Sequence, residues 1–166
     1  MDEERELARA EAKAFRLLAL RAHSEKELRA KLRACGFADD AVDRAVGRCR
    51  ELGYLSDEAF ARQRARMLAI DRLAGDRRIA LDLRERGIDP ELSSRVIAEV
   101  REELGEEEAA RRLLRKRIGG RPVASLDERE KARAARGLMG KGFPAGLIMK
   151  MLKKTEEEGF HGDDGE

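Results

Sequence analysis

The sequence predicts an all-α protein: three tandem three-helix units, about nine helices in all, stacked into an elongated, curved module. Composition is the first reason. Of 166 residues, 42% are charged, 42% hydrophobic and only 4% aromatic, with no Trp and 3 Pro. Such a chain is rich in helix formers and poor in strand formers. The second reason is legible helix punctuation. The third is an internal repeat: Leu-x-x-x-Gly followed by an apolar residue recurs at Leu32/Gly36/Phe37, Leu83/Gly87/Ile88 and Leu138/Gly142/Phe143.

A first helix is expected from about Glu3 to Ala22, with Leu7, Ala10, Ala14, Leu17 and Leu18 on one face. Ser24 with Glu27 forms a capping box that opens a second helix, and Gly36 ends it. A third starts at Asp39 or Asp40, carries Val42, Ala45, Val46 and Cys49 at helical spacing, and stops at Gly53. Ser56 or Asp57 caps a fourth helix through about Arg72. Gly75-Asp76 precedes a fifth that ends at Gly87, and Asp89-Pro90 opens a sixth bearing Leu92, Val96, Ile97 and Val100. A seventh spans about Glu106 to Arg117, followed by the loop Gly119-Gly120-Arg121-Pro122. Ser125 with Glu128 reads as a second capping box for an eighth helix ending near Gly142. A ninth follows Pro144 with Leu147, Ile148, Met151 and Leu152.

The repeat places unit boundaries at 1–55, 56–105 and 106–155, with an acidic flexible tail at 156–166. The repeated glycines are a little over 50 residues apart, and Ala45-Val46, Val96-Ile97 and Met151-Leu152 follow them at equal offsets. One such unit buries little surface alone, so neighbours must stack. An extended module with repeated faces suits an extended partner better than a small substrate.

A formal net charge of +2 conceals local asymmetry. Arg111 to Lys154 holds 14 basic and 3 acidic residues, Glu99 to Ala110 has a net of −5, and Thr155 to Glu166 has 6 acids and no Lys or Arg. That segregation points to a basic patch for an anionic partner, with flanking acidic segments that compete for it. The patch comprises Arg111, Arg112, Arg115, Lys116, Arg117, Arg121, Lys131, Arg133 and Arg136. A second, weaker group is Arg62, Arg64 and Arg66 with Arg77 and Arg78. Solvated charge is the competing reading for both.

The chain lacks the marks of an enzyme. His23 and His161 are far apart, and no H-E-x-x-H, G-x-S-x-G or strand-following G-x-G-x-x-G occurs. Gly137-Leu-Met-Gly140-Lys141 lacks the spacing of a phosphate loop and the Ser or Thr after Lys. No cofactor and no metal are expected. His23 is expected to pack at the turn before Ser24, and Phe37, Tyr54, Phe60 and Phe143 to pack in the core instead of stacking on bases. Cys35 and Cys49 read as free, buried thiols in a reducing compartment. No apolar run approaches a membrane span, and the acidic N-terminus is not a secretory signal.

The ordered motifs resemble one family. Ala19-Leu-Arg-Ala-His-Ser-Glu-Lys-Glu-Leu28 is followed by Lys31-Leu32 and Gly36-Phe37, then by Leu52-Gly-Tyr-Leu-Ser-Asp-Glu-Ala-Phe-Ala61. Gly75-Asp-Arg-Arg-Ile79, Leu83 and Arg86-Gly87-Ile88 complete the set. Together they resemble RecX proteins over about residues 14 to 155, with Arg86 where Lys is common before the glycine. The resemblance implies a tandem three-helix fold in the bacterial cytoplasm. It implies a non-catalytic protein that binds RecA–DNA filaments and modulates, usually restrains, RecA recombinase and ATPase activity. DNA repair, recombination and the SOS response would be its setting. A monomer with no membrane association is expected, with single- or double-stranded DNA as a weak further partner. The residues alone leave two rivals open: a helix-turn-helix DNA-binding protein, and a helical adaptor unrelated to RecA. The spread of basic residues and the lack of a dimerisation heptad count against the first, and the basic third unit against the second.

Overall fold

A computed structural model of the chain describes residues 1–158. Most of the expected acidic tail, from residue 159 on, lies outside the described residues. Among the described residues there are nine α-helices and no strand. They are α1 (Asp2–Leu20), α2 (Glu25–Ala34), α3 (Asp39–Glu51), α4 (Asp57–Arg66), α5 (Asp76–Glu85), α6 (Pro90–Glu103), α7 (Glu106–Arg117), α8 (Glu128–Gly140) and α9 (Ala145–Glu158).

The Leu-x-x-x-Gly-apolar repeat is a helix-termination device, used identically at the ends of α2, α5 and α8. The glycine amide bonds the carbonyl three residues back: Gly36 to Arg33, Gly87 to Arg84 and Gly142 to Met139, at 2.9, 3.0 and 3.0 Å. The next amide reaches back to the leucine carbonyl: Phe37 to Leu32, Ile88 to Leu83 and Phe143 to Leu138. This is the Schellman pairing, with glycine at φ +88, +78 and +89°. All three leucines are fully buried, and Ile88 and Phe143 nearly so. The same residues therefore end the helix and seed the core.

Two compact units emerge: Met1–Arg64 with Asp82–Val96, and Ala65–Leu81 with the chain from Ile97 on. The core of the first is built by Ala10, Ala14, Leu28, Leu32, Val42, Ala45, Val46, Cys49 and Leu55. The small Ala10 and Ala14, both fully buried, let α1 approach closely. Ser24 and Glu27 form the expected capping box at α2. The Glu25 amide of α2 also donates to Asp57 Oδ1, 2.8 Å away at the start of α4. Carboxylates and guanidiniums then alternate along Arg21, Glu27, Arg86, Asp82 and Arg64. Arg64 grips Asp82 through two bonds of 2.8 and 2.9 Å. Burial pushes the Glu27 carboxyl up, but bonds from Arg21 and Arg86 outweigh it and leave its pKa lowered.

His23, buried before the Ser24 cap, packs at the turn as expected. Its Nδ1 lies 2.9 Å from the Arg21 carbonyl, which can only accept, so Nδ1 carries the proton. Nε2 then accepts from Lys31 Nζ at 3.1 Å. Burial lowers the His23 pKa, and the Arg21 and Lys31 charges add to that.

The second unit centres on Leu104, Ala109, Ala110, Leu113, Leu114, Val123, Leu126, Leu138, Phe143 and Ile148. Two glycines meet where α5 begins and α8 ends. The Gly75 amide donates to the Lys141 carbonyl at 2.8 Å. A Cβ on Gly75 would lie 2.5 Å from the Gly142 carbonyl carbon, and one on Gly142 would overlap the Arg78 amide nitrogen. Arg101 binds Asp76 Oδ1 at 2.7 Å and the Ala74 carbonyl at 2.8 Å, while Glu106 caps the Asp76 amide at 3.0 Å.

Three expectations need correction. Ser125 does not cap α8. It sits in a 3₁₀ turn, Val123–Ser125, where its hydroxyl donates to the Pro122 carbonyl, and Asp127 with Glu130 forms the capping box. Buried Leu126 fixes that register. The helix expected to run to about Arg72 does so, its last part, Met67–Asp71, as a π turn followed by Leu73 at φ +51° with its side chain in the core. Cys35 is exposed, and only Cys49 is buried. Tyr54 is 60% exposed and meets Phe15 edge-on at 5.8 Å, whereas Phe60 and Phe143 are buried and Phe37 is partly so.

Two stability outcomes follow from this geometry. Gly36 faces open space, so Gly36→Ala carries only the left-handed strain, about 1–2 kcal/mol. Gly142→Ala adds a clash with the Arg78 backbone and should lower the urea midpoint distinctly further; equal losses would refute the close crossing. Because the folded pKa of His23 is depressed, its contribution to stability is full above the unfolded value near 6.5. That contribution is lost as pH falls below it, so His23→Gln should flatten the decline in urea midpoint between about pH 7 and pH 5.

Candidate anion-binding surface

Helix α7 is polarised. Its first turn holds Glu106, Glu107 and Glu108 and its last holds Arg115, Lys116 and Arg117. Each cluster sits at the end of the helix macrodipole that favours it. Within the helix, Arg111 Nη2 reaches Glu107 at 2.5 Å and Arg112 Nε reaches Glu108 at 3.1 Å, both at i, i+4 spacing. Lys150 of α9 also approaches Glu107, at 3.6 Å. The leading part of the basic run is thus largely neutralised by the acids that precede it.

The last turn of the helix differs. Arg115, Lys116 and Arg117 are exposed and make no ion pair among the described residues. The Arg117 guanidinium lies across Gly137 of α8, where a Cβ would overlap it. Gly140, in the same Gly137–Lys141 stretch, faces open space. Arg121 leaves the loop to bond Glu130 at 2.9 Å, and this bond lowers the Glu130 pKa. Lys131 approaches Glu128 at 3.9 Å. Arg133 and Arg136, also on α8, are exposed and form no ion pair among the described residues.

The weaker group is divided between the two units. Arg62 and Arg64 belong to the first, Arg66, Arg77 and Arg78 to the second. Arg62 pairs with Glu58, Arg64 with Asp82, and Arg66 with Glu103. Arg77 and Arg78 are exposed at the start of α5 without an ion pair among the described residues.

Sequence reasoning missed a cleft of about 400 Å³ in the second unit. Arg111, Arg115, Arg121 and Lys150 surround it together with one carboxylate, Glu107. Leu114, Ile118, Val123 and Met151 supply its apolar lining. Residues 107–123 and 150–151, far apart in sequence, build it together, so no local motif announces it. Among the described residues no group of three or more His, Cys, Asp or Glu is placed to hold a metal ion, and no helix is long and apolar enough to cross a membrane.

Three family models match in order: the first three-helix domain of RecX at residues 10–49, the second at 56–97 and the third at 105–152. Regulatory protein RecX of Thermus thermophilus is 37% identical over 148 residues, covering 89% of this chain and 93% of that protein. The RecX of Syntrophotalea carbinolica is 32% identical over 141 residues, covering 85% and 92%. The crystal structure of RecX from Lactobacillus salivarius superposes with a TM-score of 0.77 at 19% identity, over 93% of this chain and 99% of that one.

If Glu107 and Glu108 mask the start of the cationic run, removing their charge should expose it. Glu107→Gln with Glu108→Gln should elute from heparin at higher salt than the unaltered chain, and Arg115→Glu with Lys116→Glu at lower salt. Elution unchanged in the first variant would show that the masking is negligible.

Proposed function

The chain belongs to the RecX family, and from that premise we propose that it is a non-catalytic cytoplasmic regulator that binds RecA–DNA filaments and restrains RecA's ATPase and recombinase activity. The observation that carries this reading is the ordered match of all three RecX three-helix domains, covering most of the chain. The exposed cations of α7 and α8 supply a surface suited to it. Arg115, Lys116, Arg117, Arg133 and Arg136 carry charge that no ion pair within the described residues consumes. A nucleoprotein filament offers phosphates and acidic side chains in a long array, the target such a surface favours.

A regulator that lowers turnover must bind one filament state more tightly than another, since equal affinity shifts nothing. RecA's cycle alternates between nucleotide-dependent filament states. A helical ligand preferring one of them would slow the exchange without chemistry of its own.

Titrating the protein into RecA and single-stranded DNA while following ATP hydrolysis tests the reading. Unaltered protein should depress turnover without hydrolysing ATP itself. The triple variant Arg115→Glu, Lys116→Glu, Arg136→Glu should need about tenfold more protein, roughly 0.5 kcal/mol per exposed contact. Added salt should weaken inhibition through screening and counterion release. No effect of the unaltered protein at stoichiometric excess would refute the proposal. Full potency in the triple variant would move the contact surface away from α7 and α8.

A further inference from the structure

The cleft of the second unit has a floor and a rim of different chemistry. Leu114, Val123 and Met151 line it and are each less than a tenth exposed. The cations around it stand in solvent. The side chains of Arg111, Arg121 and Lys150 are 46, 50 and 54% exposed, and Arg115 is exposed as well. Arg111 and Lys150 share Glu107, Arg121 is held by Glu130, and Arg115 has no ion pair among the described residues. A ligand that uses the whole cleft must therefore be apolar below and anionic above.

The spacing says what form that ligand takes. Glu107, Arg111, Leu114, Arg115 and Ile118 fall on one stripe of α7, so the cleft follows that helix for about three turns, or about 16 Å. Arg111 and Arg115 are about 6 Å apart along the helix axis, and so are Leu114 and Ile118. In an extended chain alternate residues repeat every ~6.7 Å and point to opposite faces. A stretch of about five extended residues spans the cleft, and alternation of acidic with aliphatic side chains matches floor and rim together. A single nucleic-acid strand also offers anions beside apolar groups. Its bases need aromatic faces to stack on, and among the described residues none that lines the cleft is aromatic. A floor of aliphatic side chains and a methionine instead moulds around other aliphatic side chains.

We propose that this cleft is a docking groove for an extended segment of a partner protein in which acidic and aliphatic residues alternate. The proposal deepens the regulator reading, on which its choice of a protein partner rests, by naming the chemistry that the third unit recognises.

The test is fluorescence anisotropy with the full chain and a labelled peptide, Asp-Leu-Asp-Leu-Asp, set against Asp-Asp-Asp-Leu-Leu of the same composition. No recombinase is present, so failure here is separable from failure of the RecA reading. The alternating peptide should bind at least about fivefold more tightly than the blocked one. Arg115→Glu should weaken it by about fivefold or more, and Glu107→Gln, which frees Arg111 and Lys150, should strengthen it. Arg44→Glu, an exposed change of equal charge on α3 in the first unit, is the control and should leave binding within about twofold. No saturable binding at millimolar peptide would overturn the proposal. Equal affinity for the two peptides, or equal loss in Arg115→Glu and Arg44→Glu, would also overturn it, leaving only diffuse charge. Tighter binding of a short oligothymidylate than of the alternating peptide would assign the cleft to nucleic acid instead.

Discussion

The structure depends on one backbone event, the closing of a helix by a left-handed glycine directly behind a buried leucine. Leu32, Leu83 and Leu138 occupy the same place in the termination motif, and each is fully buried. The motif satisfies two carbonyls that would otherwise be orphaned, and it turns the next apolar side chain back onto the helix it has ended. Truncating such a leucine would lose about 2–5 kcal/mol of core packing and would loosen the turn it holds down. Local hydrogen bonding and core formation therefore select the same residues, the agreement between levels that makes a short three-helix unit foldable.

A chain with 42% charged residues must place its ions as carefully as its leucines. In the first unit they are largely consumed by one another: Arg21, Glu27, Arg86, Asp82 and Arg64 form a partly buried alternating series. Pairs of this kind fix orientation more than they add stability. In the second unit Arg101 does similar work, joining Asp76 to the Ala74 carbonyl. On α7 and α8 the acids run out before the bases do. Arg115, Lys116, Arg133 and Arg136 are exposed there without an ion pair among the described residues, and an external anion can use such charge at little structural cost.

What was legible in the sequence was what is decided locally. Ser24 and Glu27 cap α2 through bonds that span three residues, and Gly87 and Gly142 end helices through bonds that span five. Features set by tertiary contact were not legible. Ser125-x-x-Glu128 and Asp127-x-x-Glu130 are overlapping capping patterns, and only the burial of Leu126 chooses between them. The left-handed Leu73 gives no local signal, because its side chain is held by the core of the second unit and not by its own turn. For the surface, counting charge from Arg111 onward separated the basic run from Glu107 and Glu108, although their four-residue spacing to Arg111 and Arg112 is plain. The cleft needed α9 beside α7, which no spacing within either helix reveals.

Three copies of one termination motif need not mean three copies of one surface. The motif constrains a leucine, a glycine and an apolar residue per unit and leaves the outward positions unconstrained. Gly36 opens onto empty space, Gly87 lies against the Lys26 side chain, and Gly142 is pressed against the Arg78 backbone. The same turn thus serves as a free end, a side-chain platform and a backbone crossing. The joins between paired helices diverge in the same way. A compact turn at His23-Ser24 leads into α2, whereas ten residues, Gly119, Gly120 and Arg121 among them, join α7 to α8 and contribute to the cleft. Duplicated units thus retain the closure that makes each of them fold, while the longer join in the third helps to line a concave surface that bears Arg111, Arg115, Arg121 and Lys150.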